Sequence, residues 1–181
     1  MCMISRMIKA KVPNAYTVFI GPCLAKKSEI VDQKIEGNAD AALTFSEIRA
    51  IMKAKDVVLK PSENTYQESS VFGKRYGNAG GVTASVVEYI KETGKDVNPS
   101  VYKANGAADC KKALLLMKMD RLPEDFIEGM ACEGGCVGGP SSFSDQNAAK
   151  KNRDTLIGCA DCRSIVENLA NYDLSKFSQH R

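Results

Sequence analysis

The chain has 181 residues, 44% of them apolar and 26% charged, which excludes a mainly disordered or collagen-like protein. With 25 Lys and Arg against 22 Asp and Glu the net charge is +3, too small and too evenly spread to predict nucleic-acid binding. The longest apolar run, Ala113 to Met117, has lysines on both sides and falls far short of the ~18 residues of a membrane-spanning helix.

Met3 to Ala10 reads as a short helix ending before Pro13. That stretch has no long apolar centre, so no export signal is expected. Tyr16 to Ile20 is a β-branched and aromatic run of strand length, stopped by the turn pair Gly21-Pro22. Cys23 then opens a segment with Lys26, Lys27 and Glu29. Ala41 to Leu43 is a weak strand. Thr44 with Glu47 fits a capping box before the helical stripe Ile48, Ile51 and Met52. Val57 to Leu59 reads as a strand edge or a helix exit. Lys60 to Gly81 is polar and reads as one long loop, a length that goes with function or disorder. Val82 to Thr93 is a helix with Gly94 as its stop. Val101 to Ala104 is a strand, Ala108 to Met119 a helix, and Phe126-Ile127 a strand running into Met130-Ala131-Cys132. Cys132 to Pro140 is a loop, and Asp161 to Tyr172 is the last helix. Strands alternating with helices predict an α/β fold, with small, mostly parallel sheets flanked by helices. Ligands in such folds sit beyond the carboxyl ends of strands, where Cys23 and Cys132 both fall.

Cysteine and histidine usage narrows the chemistry. There are seven cysteines and one histidine, His180, the penultimate residue. Catalysis by serine–histidine or cysteine–histidine lacks a base unless the C-terminus folds back. An odd cysteine count without an export signal argues against a disulfide framework. Soft-metal ligation or burial remains. Cys132-Glu133-Gly134-Gly135-Cys136 places two thiols on a glycine-rich loop that can wrap closely round a metal centre, with backbone N–H groups able to meet sulfide. Around Cys23, Lys26 could donate to an anionic ligand while Glu29 holds it. Cys159-Ala160-Asp161-Cys162 adds a second pair, and Cys132, Cys136, Cys159 and Cys162 together have the spacing of a four-cysteine zinc or iron–sulfur module. Cys110 shares a helix with Leu114 and Met117 and is expected to be buried.

Two of these segments together resemble the iron-only (FeFe) hydrogenase family, in the C-terminal part of the domain that holds its H-cluster. Pro22, Cys23, Lys26 and Glu29 match its second signature. Glu128-Gly129-Met130-Ala131-Cys132 and Gly135-Cys136-Val137-Gly138-Gly139 match its third. Phe72-Gly73 and Gly80-Gly81-Val82 are similar to its intervening glycine-rich segment, and Asn171 to Arg181 is similar to a natural C-terminus. The resemblance spans nearly the whole chain, so residues 1–181 are expected to form one incomplete large-subunit domain, holding much of one lobe and part of the other of a two-lobed catalytic domain.

The resemblance implies an H-cluster: a 4Fe-4S cluster joined to a diiron subcluster. Cys23, Cys132 and Cys136 match three cluster ligands, with Cys136 as the bridge. Lys26 matches the residue that hydrogen-bonds a cyanide, with Glu29 behind it, and Met130 matches the methionine beside the diiron unit. The implied activity is reversible reduction of protons to hydrogen. The implied partners are a ferredoxin or other iron–sulfur electron carrier and a missing N-terminal part or partner subunit, in an anaerobe's cytoplasm. The family's first signature, with paired cysteines, proline and tryptophan, is absent, and this chain has no tryptophan. That signature supplies the fourth ligand and a proton-relaying cysteine. Gly21 stands where most active members have methionine, and Pro140 replaces a third glycine. These departures imply a chain active only within the complete protein, with bare apolar surface prone to association, or a redox- or hydrogen-sensing domain on the same scaffold.

Overall fold

A computed structural model describes residues 1–60 and 69–177. His180 and residues 61–68 of the predicted long loop lie outside the described residues. The chain divides into two compact units, one comprising Met1–Glu63, Pro140–Phe143 and Tyr172–Arg181 and the other Asn64–Gly139 and Ser144–Asn171. The mixed α/β class holds, with a two-stranded parallel sheet in each unit.

Unit 1 contains α1 (Cys2–Lys11), β1 (Val18–Ile20), α2 (Ala25–Ile30), β2 (Ala41–Leu43) and α3 (Phe45–Ala54). Strands β1 and β2 pair in parallel, Val18 to Ala41 through Ile20 to Leu43, so α2 lies on a crossover connection. The sheet is fastened to α1 by polar groups. Buried Ser5 hydrogen-bonds the Thr17 hydroxyl at 2.9 Å and the Asn38 carbonyl at 3.0 Å. Asp40 accepts from the Thr17 N–H at 2.6 Å and from Lys9 Nζ at 2.8 Å. The lysine and then the amide hold its carboxyl at about 2. The predicted capping box is present at Thr44 and Glu47. Lys27 on α2 bonds Glu47 at 2.8 Å, and with Thr44 it holds that carboxyl at about 2. Val57 to Leu59 form no strand. Helix α3 ends instead with Asp56 at φ 50° and the Val57 N–H on the Met52 carbonyl, a left-handed stop that leaves those residues as an exit.

Unit 2 contains α4 (Val71–Arg75), α5 (Gly81–Glu92), β3 (Val101–Asn105), α6 (Ala107–Lys118), β4 (Phe126–Met130), α7 (Gln146–Gly158) and α8 (Ile165–Leu169). Strands β3 and β4 pair in parallel from Val101–Phe126 to Asn105–Met130, joined through α6. Gly94 ends α5 at φ 67°, as expected. Two readings are corrected and one helix is added. The second half of the predicted loop holds α4, begun by the Ser70 side chain accepting from Gly73 N–H. Helix α7, capped by Asp145, was not anticipated. It buries only Ile157, so its sequence carries no apolar stripe to read. The last helix is confined to Ile165–Leu169, and a Ser164–Glu167 capping box starts it four residues later than predicted.

Among the described residues the buried apolar ones are, Ile157 apart, alanines: Ala39 and Ala42 in unit 1, and Ala104 and Ala113 beside Ile157 in unit 2. On α6 Ala113 faces inward, while Leu114 and Met117 are 53% exposed. Cys110 is half-buried rather than buried, and lines an open cavity of about 530 Å³ with Leu114, Met117, Phe126 and Ile127. Apolar surface is thus bare along α6. Among the described residues no helix is long and apolar enough to cross a membrane.

Candidate metal centre

Cys23 and Cys132 each come just after a strand. In unit 1, Cys23 sits in the bend between β1 and α2 and is half-buried. The Pro22 carbonyl before it accepts from the Ser141 N–H at 3.2 Å. Lys26 and Glu29, one turn apart on α2, form an ion pair with both side chains about a quarter to a third exposed. The predicted partnership of these two residues is therefore present.

In unit 2, β4 ends at Met130, which is half-buried, and the chain turns through Ala131 to Cys132. Cys132 is half-buried and Cys136 exposed. The loop between them is held from several sides. The Gly134 N–H donates to Asn105 Oδ1 at 2.8 Å, from the end of β3. Gln146 Nε2, from the start of α7, donates to the Glu133 carbonyl at 2.7 Å. The Cys136 N–H donates to the Gly77 carbonyl at 2.7 Å, from the turn before α5. Asn78 and Gly135 form an antiparallel bridge. Asp109 on α6 steadies the end of β3 by accepting from the Asn105 N–H at 3.0 Å and the Tyr102 hydroxyl at 2.9 Å. Those donors hold the Asp109 carboxyl below its ordinary range, and the carboxylate pushes the Tyr102 phenol up.

The glycines serve a different end from the one expected. Gly135 has φ 90°, and a Cβ there would lie 2.4 Å from the Gly77 carbonyl oxygen. A Cβ on Gly138 would lie 2.4 Å from the Glu133 carbonyl oxygen. Their missing side chains let backbone pack on backbone. The N–H groups of Gly134, Gly135, Cys136, Gly138 and Gly139 all donate to oxygens of the protein. The expectation that these amides meet sulfide is corrected for those five.

Glu128 is the site residue that sequence reasoning quoted without a role. It is 4% exposed on β4. Its carboxylate accepts from the Gly80 N–H at 2.9 Å, the Thr83 N–H at 3.0 Å and the Thr83 hydroxyl. It thereby caps α5 across 45–48 residues of sequence and ties the Gly77–Gly80 turn to the strand that delivers Cys132. A lone acid two residues before a Met-Ala-Cys step was its only signal.

Cys159 caps the end of α7 and Cys162 follows it; both are exposed. No three Cys, His, Asp or Glu side chains gather as a metal-binding group among the described residues of unit 2. Cys132, Cys136, Cys159 and Cys162 therefore do not form the four-thiolate cage that their spacing allowed. The donor set that fits an iron–sulfur group is Cys132 and Cys136, two soft ligands on one fixed loop.

The sequence matches the family described as iron only hydrogenase large subunit, C-terminal domain, over residues 1–140. The chain belongs to this family. It is 27% identical over 161 residues to iron hydrogenase 1 of Clostridium pasteurianum, covering 70% of this chain and 28% of that protein. It is 30% identical over 162 residues to the periplasmic Fe hydrogenase large subunit of Nitratidesulfovibrio vulgaris, covering 70% and 38%. The chain thus spans between a quarter and two-fifths of the length of these curated relatives. The family implies iron–sulfur cofactors, which agrees with the thiol chemistry of the loop.

Proposed function

We propose that this chain carries part of a hydrogenase centre that interconverts protons and hydrogen. In this reading Cys23, Cys132 and Cys136 hold a 4Fe-4S cluster, and Cys136 is shared with a diiron subcluster. The observation that carries the reading is the placement of Cys132 and Cys136 on one loop fixed by Asn105, Gln146 and Gly77, in a chain of this family. Bound there, the H-cluster would pass electrons received from a carrier to protons.

The chain's residues supply the setting. Fixing the loop before metal arrives lowers the ordering cost of ligation. An ammonium has three donors, so Lys26 keeps others for an anionic ligand while Glu29 orients it. Met130 offers a polarizable apolar wall. Residues 1–181 act as one incomplete large-subunit domain in this reading, and turnover belongs to the complete protein. The short span relative to the relatives and the absence of the first cysteine signature from these residues support that. A ferredoxin-type electron carrier and a cytoplasmic setting complete the proposal on the strength of the resemblance.

Anaerobic reconstitution with iron and sulfide, followed by iron counting and a hydrogen assay, tests this. With three of the four cysteine ligands of such a cluster, the chain should take up iron weakly or in an altered cluster, and Cys132→Ser or Cys136→Ser should abolish uptake. Cys159→Ser and Cys162→Ser should leave it intact. Uptake that depends on Cys159 and Cys162 but not on Cys136 would overturn the ligand assignment. Hydrogen evolution by this chain alone would overturn its incompleteness.

A further inference from the structure

One cysteine motif has no part in the candidate metal centre: Cys159-Ala160-Asp161-Cys162. Of the seven cysteines only Cys136, Cys159 and Cys162 are exposed, and two of those three share this motif. Cys159 is the C-cap of α7, and the chain bends at Ala160. The backbone is held on both sides of the bend. Before it, the Cys159 N–H donates to the Leu156 carbonyl at 3.3 Å and the Ala160 N–H to the Ile157 carbonyl at 3.0 Å. After it, Asp161 pairs with Ser70 in a parallel bridge, and its carboxylate accepts from the Arg163 N–H at 2.8 Å. The next helix, α8, is fastened to α5, where Glu92 accepts from the Ile165 and Val166 N–H groups at 3.0 and 2.8 Å. Two exposed thiols thus stand on a short, held junction between α7 and α8.

An exposed thiol is open to a disulfide in solution, and a second thiol close by resolves the mixed disulfide that forms. A protein disulfide needs Cα atoms about 4.4–6.8 Å apart, and a chain that turns over four residues brings its ends to about 7 Å or less. Closing such a ring is intramolecular, so the second thiol outruns a second molecule of oxidant. Cys2, Cys23 and Cys110 have no cysteine near them in sequence. Cys136 has Cys132, but Cys132 is half-buried on a loop fixed by Asn105, Gln146 and Gly77. We propose that Cys159 and Cys162 form a thiol–disulfide exchange site for low-molecular-weight disulfides of the glutathione class. One thiolate attacks a sulfur of the oxidant, breaking its S–S bond and expelling one thiol. The other thiolate attacks the protein sulfur of the mixed disulfide, which forms the Cys159–Cys162 bond and expels the second thiol. The pair gives up two electrons and two protons, and the oxidant takes both to become two thiols. The closed ring ties the end of α7 to the segment that leads into α8. No metal takes part, so the outcome is independent of the hydrogenase reading.

The full metal-free chain, reduced and kept anaerobic, is treated with mixtures of reduced and oxidised glutathione, alkylated and digested with trypsin. Cleavage after Arg153 and Arg163 yields a peptide, residues 154–163, that holds Cys159 and Cys162 and no other cysteine. That peptide should emerge unalkylated and lighter by the two thiol hydrogens, and dithiothreitol should restore both thiols. Its oxidation should run about tenfold or more ahead of residues 122–150, which hold Cys132 and Cys136, because both of its thiols are exposed. The extent should not change with chain concentration. Cys159→Ser and Cys162→Ser should each stop at a glutathione adduct on the remaining thiol. Glutathione adducts that accumulate on the unaltered chain without ring closure would overturn the site. So would faster closure between Cys132 and Cys136, or a disulfide between chains. Should a serine variant fail to fold, the masses of the two peptides from the unaltered chain decide the matter.

Discussion

The turn that carries Cys23 and the loop that carries Cys132 and Cys136 both leave a strand of a parallel pair, yet they are held by different means. Around Cys23, in unit 1, the frame is built from charged side chains: Lys9 with Asp40, Lys26 with Glu29, Lys27 with Glu47. In unit 2 the loop is held by backbone amides and carbonyls, by the side-chain amides of Asn105 and Gln146, and by glycines that let chains pass at close range. The contrast teaches that the Cys23 turn is steadied by electrostatics, which yields to pH and salt, and the Cys132–Cys136 loop by sterics, which yields to an added carbon.

The largest expected effect strikes the steric half. Gly135→Ala places a methyl 2.4 Å from the Gly77 oxygen at φ 90° and should destabilise unit 2 by about 3 kcal/mol. Denaturant unfolding measures it, and amide exchange should show Cys136 losing protection while unit 1 keeps its own. An unchanged unit 2 would remove the steric account. Next comes Glu128→Gln, which puts a donor among the donors of Gly80 and Thr83. A loss of roughly 2 kcal/mol is expected for a buried, charge-assisted cluster, with faster exchange at the Gly80 and Thr83 amides.

A smaller effect belongs to unit 1. Thr44→Ala removes half of a capping box and should cost about 1 kcal/mol, seen as fraying of α3 in amide exchange. The mildest probe is acid. Asp40 and Glu47 titrate at about 2 when folded, below their ordinary values. Their contribution is therefore fully present above about pH 4.5 and disappears as pH falls through 2. In unit 2, hydrogen-bond donors also lower Asp109, Asp125 and Asp161, but by less. Amide exchange between pH 4.5 and 2 should show unit 1 loosening more than unit 2. The reverse order would break the comparison.

The legible parts of the fold were those decided within a few residues. The Thr44–Glu47 box, the Gly94 stop, the Gly21-Pro22 turn and the strand runs depend on near neighbours, and each formed. Helix α7 was illegible by pattern because it has no buried stripe, though Asp145 marked its start. Helix α4 hid in a polar stretch, with Ser70 as the only sign. At the site, the pairing of Lys26 with Glu29 was readable from one helical turn. The role of Glu128 was not, because its donors lie 45–48 residues away.

The amino-acid order by itself determined the α/β alternation, the family, and the two thiols four residues apart at the end of a strand. The alternation follows from periodicity and the thiol placement from local spacing, while the family rests on the resemblance of the signature motifs. Only the tertiary structure decided what the glycines are for and where the Glu128 carboxylate goes. Such facts depend on segments far apart in sequence meeting at van der Waals range, and no local pattern encodes which oxygen will stand opposite which amide.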